Sequence, residues 1–132
     1  MLKYLLLSLA LLVTPVYAEK VCPGGEDTED AFFAYTVKNK FEVFSLTNAG
    51  QEKVIKKINM NRSRNGVPLL QDGTLLYFAK IDPMNTGVVL MYEGCVVPKS
   101  VVQLPSNMFA TVLQSAGVLD EEILPFAVGS DI

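Results

Sequence analysis

The sequence predicts a small α+β domain: a mainly antiparallel sheet of four to six strands, two helices and one disulfide. Three observations lead there. Residues 73–104 hold the densest run of strand-forming residues, punctuated by two turn signals. Residues 49–61 and the segment after Ser106 instead repeat their apolar positions at helical spacing. Cys22 and Cys95 are the only cysteines, and the second lies inside the strand-rich stretch. A chain of 132 residues is one domain by ordinary size.

The N-terminal stretch is set apart from the rest. Met1-Leu2-Lys3 is a short positive start, residues 5–13 are an apolar run, Thr14-Pro15 breaks it, and Val16-Tyr17-Ala18 is a small-x-small cleavage pattern. That is the layout of a secretory signal peptide over residues 1–18, with cleavage after Ala18. The apolar run is short for a span of about 30 Å of hydrocarbon. Glu19 and Lys20 put charges where a lipid-modified cysteine at position 22 would want small apolar neighbours. The expected product is an exported domain, residues 19–132, placed in the periplasm or secreted.

Export changes how the cysteines read. An oxidising compartment favours a Cys22–Cys95 bridge. In the chain-entropy model, closing a loop of roughly 74 residues is worth about 4 kcal/mol. The bridge would tie the Gly-rich, acidic segment 19–30 to the sheet. The chain has no CxxC pair, so redox exchange has little support.

In chain order, Cys22-Pro23-Gly24-Gly25 is a turn, followed by the carboxylates Glu26, Asp27, Glu29 and Asp30. Their spacing matches no calcium loop, so a solvated segment is the simpler reading. Residues 31–46 are rich in aromatic and β-branched residues and are divided by Lys38-Asn39-Lys40, which suggests a hairpin. A rival reading of the first half caps a helix on Asp27 or Thr28 and sets Phe32, Phe33 and Val37 on neighbouring faces; strand composition outweighs it. Asn48 and Gln51 form a cap pair for a helix over 49–61 that buries Val54, Ile55 and Ile58. Glu52 and Lys56 are placed to pair along it.

Residues 74–82 alternate as a strand, 82–87 make a turn, and 88–92 are apolar throughout, as in a strand buried on both faces. Glu93-Gly94 permits a bend before Cys95, and residues 100–104 form another strand. Ser106 then caps a helix whose Met108, Phe109, Val112, Leu113 and Ala116 share a face, and Gly117 ends it. Residues 118–132 read either as an edge strand or as a tail that a partner orders.

The chemistry is defined mostly by what is missing. The chain has no histidine, which removes His-based nucleophile arrangements, His general bases and His-ligated zinc. It has no tryptophan, and no phosphate-binding glycine motif occurs. No cofactor or metal is expected and no catalytic residue is assigned. Without Lys3, ten basic residues face fourteen acidic ones, a net charge of −4, which disfavours a nucleic-acid partner.

The one basic cluster is Lys53, Lys56, Lys57, Arg62 and Arg64. It reads as a solvated helix face or as a docking patch for an anionic partner. Asn61-Arg62-Ser63 matches a glycosylation sequon. These features favour an exported, non-catalytic protein acting by protein–protein interaction with an envelope or extracellular partner, as an inhibitor or an assembly subunit. One alternative is a small hydrolase acting on cell-wall or other glycans, which would need two of Glu42, Asp72, Asp82 and Glu93 to converge. Another is a peripheral binder of anionic lipid using the basic cluster, with weak membrane-surface contact and no transmembrane helix after cleavage.

Overall fold

The structure is a computed structural model that describes residues 21–126. The proposed signal peptide and residues 127–132 lie outside the described residues. Six strands form one antiparallel sheet: β1 (Glu42–Leu46), β2 (Leu75–Asp82), β3 (Asn85–Tyr92), β4 (Cys95–Val96), β5 (Val102–Pro105) and β6 (Ile123–Pro125). The order is β4-β3-β2-β1-β6, and β5 pairs with β3 beyond β4, along the same edge. Three helices cover it: α1 (Glu29–Lys38), α2 (Asn48–Arg64) and α3 (Ser106–Ser115). The α+β class, the antiparallel sheet and the single disulfide therefore hold.

Alternation along the hairpin of β2 and β3 divides the core in two. Leu76, Phe78, Val88 and Leu90 point to one face, where they meet Val54 of α2 and Phe109 and Leu113 of α3. Tyr77, Ala79, Val89 and Met91 point to the other, where Phe33 of α1 packs with Val43 and Val96. The central strands are thus apolar on both sides, as their sequence anticipates. The turn between them is tighter than expected. Asp82 accepts the N–H groups of Met84 and Asn85, so β3 already begins at Asn85 and takes in Gly87.

The clearest departure from the sequence reading is α1, a third helix where a strand was favoured. Thr28 Oγ1 accepts the Ala31 N–H at 3.1 Å, Glu29 and Asp30 sit in the first turn, and Lys38 in the last. Cap and dipole terms therefore agree on a helix. They outweigh the strand propensity of its aromatic residues, because Phe33 and Thr36, three apart, can both be buried on a helix. Lys38-Asn39-Lys40 ends that helix and makes no hairpin: Asn39 N–H reaches Tyr35 O, and Lys40 takes a positive φ of 60°.

Other boundaries move less. Thr47, one residue before Asn48, caps α2 through the Gly50 N–H. Ser106 lies inside α3, where its hydroxyl bonds that of Thr86 at 2.9 Å, and Met108 is exposed. Gly117, at φ 86°, ends the third helix as expected. Of the segment 118–132, residues 123–125 form the edge strand β6 against β1.

The disulfide joins Cys22 to Cys95, both buried. It fastens the N-terminal segment where that segment already adds to β4. Val96 N–H reaches Asp27 O at 2.9 Å, and Glu29 N–H reaches Gly94 O at 2.8 Å. Glu93 and Gly94, both at positive φ, form the two-residue turn that brings Cys95 back beside Tyr92.

Candidate functional site

The α1 face of the sheet is only partly covered. Phe33 fills one side, in contact with the rings of Tyr77 (5.2 Å) and Phe126 (4.9 Å between centroids). On the other side Ala79 of β2 stands directly opposite Gly87 of β3. Two of the smallest side chains at adjacent central positions leave a hollow. A Cβ at residue 87 would already lie 3.1 Å from Ile81 Cδ1. The result is a groove of about 380 Å³ floored by Ala79, Gly87 and Val89. Phe32 and Tyr35 of α1 wall it on one side, and Val101 and Gln103 close the other.

No residue lining this groove carries a formal charge. Thr36 commits its hydroxyl to Phe33 O at 2.7 Å. The phenol of Tyr77 has its pKa raised by burial and secondarily by the charge of Glu29, so it stays neutral. Tyr35 (56% exposed) and Val101 (59%) leave apolar surface open at the rim. A mostly apolar recess with a few neutral hydrogen-bonding groups suits binding of an apolar group. Its only titratable side chains are the phenols of Tyr35 and Tyr77. Sequence reasoning missed this groove because its α1 wall was read as a strand and Gly87 as part of a turn.

Two of the five cations of the basic cluster have partners within the chain. Lys53 Nζ pairs with Glu122 at 2.9 and 3.2 Å. Arg62 Nε donates to Pro68 O at 2.7 Å and braces the loop that follows α2. Lys56, Lys57 and Arg64 are exposed, and Lys53–Glu122 is the only ion pair among the described residues. The Glu52–Lys56 pairing suggested by their spacing is therefore not formed. Asn61, the sequon residue, lies within the last turns of α2 and receives the side-chain amide of Asn65.

The carboxylates are dispersed. Glu42 is exposed on β1, opposite Lys80 of β2. Asp82 is occupied by the side-chain amide of Asn85 and by the backbone N–H groups of Met84 and Asn85, which in that order hold its pKa below the ordinary value. Asp72 and Glu93 lie at the other end of the hairpin of β2 and β3 and border separate depressions. Among the described residues, no three acidic or cysteine side chains form a metal-binding group.

The chain matches no known family model, no curated protein and no solved structure.

Proposed function

We propose that this chain is a small exported binding module. It acts without catalysis, by engaging another protein of the cell envelope or extracellular space as an inhibitor or an accessory subunit. The observation that carries this reading is the neutral apolar groove beside α1, which has the size and lining of a recognition site and no charged side chain. The disulfide and the layout of residues 1–18 support export. Among the described residues, no helix is long and apolar enough to cross a membrane. The dispersed carboxylates lend nothing to the hydrolase alternative.

The test is affinity capture from a detergent-solubilised envelope extract, with the oxidised protein and its Ala79→Leu variant as parallel baits. The added side chain fills the floor of the groove. A stoichiometric partner retained by the wild type and lost with the variant is the expected result. Equal capture by both baits, or capture by neither, would overturn the reading.

A second reading rests on the exposed, unpaired Lys56, Lys57 and Arg64 of α2. Three cations on one helix draw the protein to an anionic surface, each worth about 1 kcal/mol near such a membrane. Sedimentation with vesicles containing phosphatidylserine should then fall steeply with added salt. Equal binding to neutral vesicles removes this reading.

A further inference from the structure

The groove has no charged lining, yet the two ends of its α1 wall differ in charge. α1 runs from β4, where Glu29 N–H donates to Gly94 O at 2.8 Å, to the start of β1. Its first turn carries Glu29 and Asp30, so the acidic end lies by β4. Its last turn carries Lys38, three residues beyond Tyr35 and so on the face that walls the groove. Lys40 stands directly before Phe41, which also lines the groove. Both lysines are exposed, and neither forms an ion pair among the described residues.

The carboxylates nearest to them in sequence belong to the other face of the sheet. Glu42 follows Phe41, but alternation along β1 sets it opposite in direction to Val43, on the face of Phe44. Asp82 follows Ile81 and lines a depression on that other face beside Phe44 and Phe78, held by Asn85 and Met84. In an acidic chain, the β1 end of the groove is thus cationic. The hollow itself opens directly above Ala79 and Gly87. Around it, Tyr35 and Val101, each more than half exposed, extend apolar surface beyond the recess. A protein surface covers that rim, whereas a small ligand seated in the hollow would leave it open.

We propose that the groove is an anchor site for an acidic partner surface. One large apolar side chain of the partner enters from above the sheet onto Ala79 and Gly87, and a carboxylate beside it meets Lys38 and Lys40. Burial of the anchor supplies the affinity, as for a side chain seated in a desolvated pocket. The two lysines, exposed at the rim, speed the encounter and fix which side of the anchor is acidic. This rests on the binding-module reading and names the chemistry of its partner.

The test uses the oxidised protein and a phage-displayed library of random linear peptides, followed by synthetic copies of the selected sequence. The expected peptides share one large apolar residue with Asp or Glu to one side of it. Their binding should shift the amide resonances of Ala79, Gly87 and Val89. Truncation of the apolar residue to alanine should weaken binding by about thirtyfold or more. Each Asp or Glu changed to its amide should weaken it by up to about fivefold, and added salt should act in the same direction. Lys38→Glu with Lys40→Glu should reverse the preference, so that the variant binds the copy in which lysine replaces the acidic residues. That gain of binding also shows the variant to be folded. Failure to select any peptide would overturn the proposal, as would resonance shifts that spare Ala79, Gly87 and Val89. Uptake of decanoate into the groove with no peptide able to displace it would overturn it in favour of a small amphiphile. A captured partner that is lost with Ala79→Leu but insensitive to salt and to the lysine reversal would leave the binding-module reading standing and remove this one alone.

Discussion

The side-chain amide of Gln51 stands in for a missing strand at Leu76. Gln51 Oε1 accepts the Leu76 N–H at 2.7 Å, and Gln51 Nε2 donates to Leu76 O at 2.9 Å. The β1–β2 register would place Leu46 opposite Leu76, but β1 ends there and the chain turns into α2. The freed backbone groups of a buried central strand are met by the second turn of the arriving helix. Gln51 itself is 5% exposed. Gln51→Leu should leave both groups of Leu76 unsatisfied and lower stability by about 2–4 kcal/mol. Urea unfolding measures this. A loss under about 0.5 kcal/mol, the range of ordinary surface changes, would show that the pair of bonds is dispensable.

The disulfide should dominate the stability of the N-terminal segment. Cys22→Ser with Cys95→Ser reopens a long loop in the unfolded chain, and the chain-entropy model puts the loss near 4 kcal/mol. The bonds from Asp27 and Glu29 to β4 remain available without it, so the sheet itself should survive. The expected signature is a lower unfolding midpoint with faster amide exchange concentrated in residues 22–29. Intact mass with alkylation, before and after reduction, should show both thiols blocked until reductant is added. Free thiols in the exported protein would contradict the bridge.

The pairing of Glu122 predicts an acid-side loss of stability. Its carboxylate accepts the Leu119 N–H at 2.9 Å and pairs with Lys53, and these contacts, in that order, pull its pKa below the ordinary 4.5. Because the folded pKa is the lower one, the unfolded chain takes up the proton first. The stabilisation is complete above the ordinary value and fades as pH falls through the folded one. Asp82 acts in the same sense. Glu29, whose pKa burial raises, acts in the opposite one. Thermal scans from neutral to acidic pH should show that Glu122→Gln is less stable than wild type at neutral pH and less sensitive to acid. Parallel curves for the two proteins would rule the pair out as a pH-dependent contributor.

The strand pattern of residues 74–92, the bend at Glu93-Gly94 and the cysteine pairing were legible in the sequence because each rests on local chemistry or on a count of two. The helix α1 was not, since its aromatic content favours a strand unless the weight of the Thr28 cap is known beforehand. The site was less legible still. The hollow depends on Ala79 facing Gly87. Register determines that pairing, and one-dimensional spacing does not contain it. The basic cluster illustrates the converse. Five cations are close in sequence, yet Lys53 and Arg62 are committed to Glu122 and Pro68, which lie elsewhere in the chain.

Gly50 marks the closest approach of α2 to the sheet, and its substitution sets two opposing terms against each other. In a helix interior, Ala is better than Gly by about 1 kcal/mol. Against that, a Cβ at residue 50 would meet Leu46 Cβ at 3.1 Å and Glu122 Cβ at 3.3 Å. Both atoms are fixed directly to backbone, so no side-chain rotation relieves the contact, and α2 must move away from β1 and β6. That movement strains the Thr47 cap and the Lys53–Glu122 pair together, since both lie within a turn of Gly50 along the helix. Overpacking of this kind costs about 1–3 kcal/mol, which exceeds the gain in propensity. Gly50→Ala should therefore destabilise the protein, and Gly50→Val more so. In combination with Glu122→Gln, its cost should be less than additive, because part of what it strains has already been removed. A stabilised Gly50→Ala variant would show that the helix can shift freely over the sheet edge at this point.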